Sequence, residues 1–504
     1  MSVRVRFAPS PTGGLHLGGV RTVLYNYLFA RHHGGTFVLR IEDTDQSRFV
    51  PGAEEYIFDC LSWCGLEPDE SPRHGGAYGP YRQSERKELY RKYAETLVTR
   101  GYAYYAFDTP AELEQMRETN RTAENPSPQY DHTVRKKMRN SLSLTDSEVK
   151  DLLEQNTPHV IRIKMPEHEI VSFNDMIRGT IQYETGLVDV KVLLKADGMP
   201  TYHLAVVVDD YLMKITHAFR GEEWLPSAPV HLLLWKYLGW ESDMPQWAHL
   251  PLILGPSGKL SKRDGAKHGF PVYAMNWTDP RTSEHTEGFK EKGFLPEAFV
   301  NLLALLGWNN GTEQELFSLE QLVNAFDMER VHKGGARFDY EKAKWFNHEW
   351  MKKLQISDLR LYIEPILTAN GIVVKDAAYL EHIIELVRER CTLLTDFVQQ
   401  ASYFFQAPQQ WDVEAVKPKW IEEKKVFFET FTEQLNALAN WNMEAIEELF
   451  KNHAAASNIK PGELQLPLRI MLVGGKYGPA VFQIAELIGK EETIDRISKS
   501  LPLF

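Results

Sequence analysis

The sequence predicts an α/β protein: a doubly wound parallel sheet, interrupted by an α+β insertion and followed by an all-α C-terminal region. Three observations carry that reading. Residues 3–43 run as strand, helix and strand, the order from which parallel sheets are wound. A near-continuous apolar stretch at 200–210, "PTYHLAVVVDD", reads as a further strand buried on both faces. Beyond about residue 310 the apolar residues recur almost purely at helical spacing.

Taken in order, "VRVRFA" (3–8) alternates as a strand, and "VRTVLYNYLFARHH" (20–33) puts Val20, Leu24, Tyr27 and Leu28 on one helical face. "TFVLRIED" (36–43) reads as the next strand. A sheet of this kind takes its ligands at the carboxyl ends of its strands. Ser84 stands where a helix cap is expected, ahead of Leu89, Tyr93 and Leu97 on one face, with Gly101 at the end. Between 108 and 195 the texture changes: "TNRTAENPSPQY" is loop-like, a helical piece follows, and "HVIRIKM" and "GTIQYE" read as strands. In the tail, Leu380, Ile383, Ile384, Val387, Cys391, Leu394 and Val398 keep helical spacing, and "VFFETFTEQLNAL" and "MEAIEELF" continue it. The expected organisation is a sheet domain in two halves (1–107 and 196–255), an insertion (108–195), a region carrying a basic loop (256–330) and an all-α module (331–504).

A chain of 504 residues is too long for one hydrophobic core, and 43% hydrophobic with 25% charged residues is the balance of an ordinary globular protein. The opening residues lack the apolar run of a signal peptide, and the longest apolar stretches are too short to span a bilayer. Three cysteines form no disulfide framework, which fits a reducing cytoplasm. Cys60 and Cys64 lie four apart in an apolar helical segment with no second pair to complete a metal site, so they read as buried thiols and no protein-bound zinc is expected. The formal net charge of −12 is unusual for a nucleic-acid partner, but net charge says little about one face of a molecule. "RKKMR" (135–139), "KLSKR" (259–263) and "RVHKGGAR" (330–337) are local basic clusters, each equally readable as solvated surface.

The chemistry concentrates in "FAPSPTGGLHLGGVRTVLYNYLF", residues 7–29. Gly13 and Gly18 have the spacing of a P-loop, but Gly19 and Val20 follow where Lys and Ser/Thr belong; no G-x-G-x-x-G occurs either. What remains is a proline-fixed turn into a helix N-terminus, where unpaired N–H groups and a partial positive charge suit phosphate. Gly18 and Gly19 let a ligand touch the backbone, and His16 adds a side-chain donor. The basic loop "GPSGKLSKRDG" (255–265) supplies Lys259 and Lys262 from the far side. A glycine loop with histidine in front and a lysine loop behind suits an α-phosphate transition state with departing pyrophosphate. A cation about 4 Å from such an oxygen contributes about 4 kcal/mol at an effective dielectric near 20.

"PSPTGGLHLGG" resembles the HIGH signature, and "KLSKR" the KMSKS signature, of class I aminoacyl-tRNA synthetases, whose catalytic domain is Rossmann-like. "RFAPSPTG", "LRIEDTD", "VPGAEE", "GPYRQSER", "DGMPTYHLAVVVDD", "RGEEW", "ARFDYEKAKWFN" and "LPLRIMLVGGKYGPAVFQIAELIGKEETIDRI" narrow the resemblance to bacterial-type glutamyl-tRNA synthetases, along essentially the whole chain. The resemblance implies activation of L-glutamate by ATP, with Mg2+, and transfer of the glutamyl group to the terminal adenosine of tRNA(Glu), and in some members also of tRNA(Gln). It implies that His16, Gly18, Gly19, Glu223, Trp224, Leu254 and Lys262 hold ATP, with Lys259 assisting. It assigns Arg6, Tyr202 and Arg220 to the glutamate γ-carboxylate, and Glu42 with Ala8 and Ser10 to its ammonium. Taken alone, an ion pair within the sheet edge is the lesser alternative for Arg220 or Glu42. Val206 stands where some relatives carry asparagine. The insertion would grip the tRNA acceptor end, 256–330 would contact the stem, and the helical tail would read the anticodon. A monomer is the family expectation. Some relatives carry zinc in the insertion, but "GYAYYAFDTPAE" here has no cysteine. The first rival is a glutaminyl-tRNA synthetase, whose anticodon region is built from β-barrels rather than helices. The others are a truncated tRNA-modifying relative, which would lack the tail, and a small-molecule nucleotidylyltransferase, which would not need so long a helical module. The last is a non-enzymatic tRNA-binding protein, which would tolerate loss of His16 or Lys262.

Overall fold

The structure, a computed structural model, describes residues 2–504. The chain forms two compact units, one reaching to Glu291 and including Phe299–Tyr340, the other made of Lys292–Ala298 and Glu341–Phe504.

The first unit is organised by a six-stranded sheet. Strand β1 (Arg4–Phe7) leads through helix α1 (Leu17–His32) to strand β2 (Thr36–Leu39), which lies parallel to β1 with Arg6 opposite Val38. Helix α1 is buried on most sides, through Leu17, Val20, Val23, Leu24, Tyr25, Leu28 and Phe29. Helix α2 (Ala53–Trp63) buries Cys60, and Cys64 follows it as a second buried free thiol. Helix α3 (Lys87–Thr99) packs Tyr90, Ala94 and Leu97 inward. Ser84 does not cap it: a short 3-10 turn precedes the helix, Arg86 takes the cap position, and Ser84 bonds the Asp43 carboxylate through its N–H and hydroxyl.

The insertion builds its own antiparallel sheet from β3 (Ala103–Ala106), β4 (Val160–Ile163) and, further on, β7 (Val192–Leu194). Its helices α4 (Pro110–Asn120) and α5 (Asp146–Glu154) each start with a reciprocal capping box, at Thr109 and at Thr145. The "RKKMR" cluster is not a solvated face throughout: Arg135 is buried, donating to the Met165 carbonyl and the Glu167 carboxylate. Between β4 and β7 the hairpin β5 (Ile170–Asp175) and β6 (Gly179–Glu184) leaves the insertion's sheet and joins the main one.

The stretch read above as a strand is helix α6 (Tyr202–Leu212), with Leu204 to Asp210 all buried. A continuous apolar run carries no period, so a helix and a strand buried all round look alike in sequence. The strand is the next segment, β8 (His217–Gly221); helix α7 (Ala228–Leu238) then leads to β9 (Gln246–Leu250). The main sheet runs β2-β1-β8-β9-β5-β6, with β2, β1, β8, β9 and β5 parallel to their neighbours and β6 antiparallel. Strand order reverses between β1 and β8, and a parallel sheet opens a ligand crevice at such a point. Beyond it, β10 (Ile253–Gly255) and β11 (Gly258–Lys259) form a hairpin beside the short strand Ala336–Arg337. Helix α8 (Lys262–His268) follows at once, so "KLSKR" is half hairpin and half helix start rather than plain loop.

The second unit is helical, and the tail segment read as one helical run is two. Ala377–Val387 is a helix, the chain breaks through 388–395, and Asp396–Phe405 resumes. Phe427, Phe428, Phe431, Phe450 and Phe482 fill the core of the later helices. Buried Arg496 donates to the carbonyls of Tyr403 and Leu472 and pairs with Glu492 on its own helix. Among the described residues no helix is long and apolar enough to cross a membrane.

Candidate active site

The turn from β1 into α1 is held against the sheet by backbone bonds: Glu42 N–H donates to the Pro9 carbonyl and Val50 N–H to that of Pro11. Gly14 lies against the rings of Tyr273 and Trp277, and a Cβ there would come within 3.0 Å of both, so a larger residue would have to push these rings aside. His16 caps α1, its Nδ1 accepting the Gly18 N–H at 3.4 Å. The ring proton therefore sits on Nε2, which is buried and has no partner among the described residues. Burial first, then the charges of Lys259 and Lys262, push the His16 pKa down to about 4, so the ring is neutral near pH 7.

This turn opens onto a cavity of about 590 Å³ at the reversal between β1 and β8. Arg6, Ala8, Ser10, His16, Gly18, Gly19, Glu42, Tyr202, Arg220, Glu223, Trp224 and Lys259 all line it. Strand ends, a helix mouth and a hairpin, drawn from Arg6 at one end of the sequence to Leu260 past its middle, thus meet around one space. Two expected residues stand outside it. Leu254 packs its side chain against Gly335, and its neighbour Ile253 lines the cavity instead. Lys262 holds its Nζ 5.2 Å from the centre of the Tyr273 ring, where the Tyr273 hydroxyl raises its pKa. Alternate residues of a β-hairpin face opposite sides, which puts Leu254 out.

The two arginines differ in a way the sequence did not reveal. Arg6 is buried and doubly paired to Asp210 of α6, at 3.1 Å from Nε and 3.3 Å from Nη2. Asp210 also accepts from Arg40 at 2.8 Å, and Arg40 reaches Glu42 at 3.1 Å. Burial raises the Glu42 pKa despite the opposing pull of Arg40 and Arg6. Arg220 instead donates only to neutral groups: His249 Nε2 at 2.9 Å, the Tyr202 hydroxyl at 3.0 Å and His231 Nδ1 at 3.1 Å. Its Nη2 is buried without a partner among the described residues. Arg6 is a charge already matched; Arg220 is a charge hydrogen-bonded to neutral groups.

On the far wall, Lys259 Nζ pairs with Glu223 at 3.0 Å, and the Trp224 ring lies 4.4 Å from that of Tyr202, half open to solvent. Ser261 caps α8 through a reciprocal box with Asp264, which also accepts from the Ser257 hydroxyl at 2.8 Å. Sequence reasoning missed Asp210, His231, His249 and Lys195, whose Nζ donates to the Thr44 carbonyl at 3.0 Å at the cavity's edge. Asp209 and Asp210 offered a signal, as paired carboxylates closing an apolar run; the histidines offered none.

The arrangement sets a helix mouth carrying His16 beside a buried arginine whose hydrogen-bond partners are neutral, at the carboxyl edge of a parallel sheet. Residues 2–345 match the family described as tRNA synthetases class I (E and Q), catalytic domain, and residues 346–501 match the anticodon binding domain family. The chain is 51% identical over 501 residues to a glutamate–tRNA ligase of Amoebophilus asiaticus, covering 99% of this chain and 98% of that one. It is 50% identical over 502 residues to one of Flavobacterium psychrophilum, covering 99% of each. A crystal structure of a glutamate tRNA ligase from Elizabethkingia meningosepticum, in complex with its amino acid, superposes with a TM-score of 0.92 at 49% identity, covering 100% of this chain and 99% of that one. The chain belongs to the class I tRNA synthetases of the E and Q group, and it is an aminoacyl-tRNA ligase.

Proposed function

We propose that the protein joins L-glutamate to tRNA(Glu) in two steps. A glutamate α-carboxylate oxygen attacks the α-phosphorus of ATP, expelling pyrophosphate and forming glutamyl-adenylate. The 2′-hydroxyl of the terminal adenosine then attacks the activated carbonyl and expels AMP. The observation that carries the amino-acid choice is Arg220, a buried cation with neutral partners and an unpartnered Nη2. A γ-carboxylate offers two acceptors to Arg220 and the Tyr202 hydroxyl; the amide nitrogen of glutamine would set donor against donor. Arg6 shapes the same end of the pocket through its pair with Asp210. Glu42, with the chain at Ala8 and Ser10, takes the ammonium.

ATP enters with Mg2+ and lies along the α1 mouth. His16 Nε2–H and the backbone at Gly18 and Gly19 meet its phosphates, while Glu223, Trp224 and Ile253 border its nucleoside end. Lys259 and Lys262 stabilise the departing pyrophosphate, Lys262 by leaving the Tyr273 ring. No covalent enzyme intermediate is required, so positioning and charge supply the catalysis. Residues 108–195 serve the acceptor end, 256–330 the stem and 331–504 the anticodon, on a monomer in the cytoplasm. The glutamate–tRNA ligase names of relatives near 50% identity support this reading.

The test is charging of two purified transcripts, tRNA(Glu) and tRNA(Gln), with labelled glutamate. Charging of the first alone makes a discriminating enzyme. Charging of both makes a non-discriminating one that needs an amidotransferase downstream. Charging of neither by folded protein with Mg2+ refutes the proposal.

A further inference from the structure

Arg220 is held by a chain of groups that begins outside the cavity. Asp175 closes strand β5 and is almost fully buried. Its Oδ1 accepts the N–H groups of Ile177 (3.0 Å) and Arg178 (2.9 Å), which forms the tight turn into β6. Its Oδ2 accepts from His249 twice, from the backbone N–H at 3.1 Å and from ring Nδ1 at 2.6 Å. His249, at 0% exposure on β9, meets Arg220 Nε with its other ring nitrogen at 2.9 Å.

The protons on this chain follow from the arginine. Arg220 Nε always carries hydrogen, so His249 Nε2 accepts, and the ring proton sits on Nδ1, where the Asp175 carboxylate takes it. Burial lowers the His249 pKa, and although burial alone would raise that of Asp175, the His249 and backbone N–H groups hold it below the usual carboxylate range. The neighbouring His231 accepts from Arg220 Nη1, leaving its own proton on Nε2 for His203 Nδ1 at 3.2 Å. Nε and both hydrogens of Nη1 are thereby committed, the latter to Tyr202 and His231. Among the described residues, Nη2 has no partner.

We infer that Asp175 and His249 are positioning residues for amino-acid selection: Asp175 sets the His249 tautomer, and His249 locks the Arg220 guanidinium so that the Nη2 hydrogens face an incoming carboxylate. The inference rests on the reading of the cavity as a glutamate site. It also gives a use to the β5–β6 hairpin's place in the main sheet, since the pairing of β5 with β9 brings the Asp175 carboxylate to His249.

The test uses full-length Asp175→Asn, His249→Gln and the double variant, with KM for glutamate and for ATP measured in tRNA charging and folding checked by thermal melts. With its oxygen kept on the two turn N–H groups, the asparagine of the first variant turns its amide nitrogen to the His249 backbone N–H and to ring Nδ1. The backbone N–H loses its acceptor in either background, and at Nδ1 the amide drives the ring proton to Nε2, against Arg220 Nε–H. The loss of one charged hydrogen bond is expected to raise the glutamate KM about ten- to a hundredfold and to leave the ATP KM nearly unchanged. Glutamine at 249 can place an amide oxygen near the former Nε2 and has no tautomer to choose. His249→Gln therefore stays within about fivefold of wild type, and Asp175→Asn costs little more in that background. A purely structural role predicts the opposite: Asp175→Asn costs the same in both backgrounds and raises both KM values together, which overturns the inference. If Asp175→Asn does not fold, His249→Leu against His249→Gln decides. A glutamate KM raised by leucine and not by glutamine supports the lock, and equal values overturn it. Wild-type protein that charges glutamate while all variants match it removes the lock alone; wild-type protein that charges no glutamate removes the function as well.

Discussion

Replacing Arg220 with glutamine removes a buried cation whose hydrogen-bond partners are all neutral. The magnitude follows from that isolation. A carboxylate about 4 Å from the guanidinium is worth about 4 kcal/mol at an effective dielectric near 20. Each 1.36 kcal/mol is about tenfold in rate, so the full interaction corresponds to about a thousandfold in kcat/KM for glutamate. Water entering the space vacated by the guanidinium returns part of this, and the expected loss is about a hundred- to a thousandfold. The ratio of glutamine to glutamate use should rise as well, because the introduced side-chain amide can pair with a substrate amide as readily as with a carboxylate. The assay is steady-state charging of tRNA(Glu) with each labelled amino acid, ATP saturating. A loss of kcat/KM for glutamate below about tenfold, in folded protein, refutes the argument that this charge selects the substrate.

Four further outcomes follow from the same geometry. Arg6→Gln breaks a buried pair but leaves Asp210 with Arg40 at 2.8 Å, so it should lower stability by about 2–3 kcal/mol, less than an uncompensated buried charge costs, seen as a lower urea midpoint. Lys262→Ala should cut adenylate formation by about a hundredfold or more while tRNA binding falls only slightly; near-normal pyrophosphate exchange would sink the role given to the basic loop. Gly18→Ala meets no atom nearer than His16 Nδ1 at 4.0 Å, so the protein should melt normally yet show a raised KM for ATP, whereas Gly35→Ala runs into the Val3 carbonyl and should lower the melting temperature. Acid should act through His16 and His203, each held at about 4 against an ordinary 6.5, mainly by burial. Their unfolded forms take up protons near pH 6.5 and the native forms only near 4. This stability is therefore complete above about pH 6.5 and is lost as pH falls toward about 4, at up to about 1.4 kcal/mol per pH unit for each ring. A denaturation midpoint that stays flat from about pH 7 to 4.5 would contradict it.

What the chain determines locally could be read from it directly. The β1-α1-β2 opening, the glycine turn with His16 at its end, Lys259 in its basic stretch and the helical tail are short-range patterns, set by periodicity, turn residues and caps within a few positions. Reading failed where burial erased the pattern. Helix α6 is apolar on every side, so nothing separated it from a strand, and the break at 388–395 kept its apolar spacing while leaving the helix. The site's electrostatics lay further out of reach. Arg6 meets Asp210 across 204 positions, and His249 meets Asp175 across 74, so which arginine is neutralised and which is left free is decided only when separate strands close into one sheet. The same closure puts Leu254 outside the cavity and Ile253 inside it. Residue types state which charges exist; which of them remains unpaired depends on distances of a few ångströms between segments far apart in the chain, because charge interaction falls with separation in space and takes no account of separation in sequence.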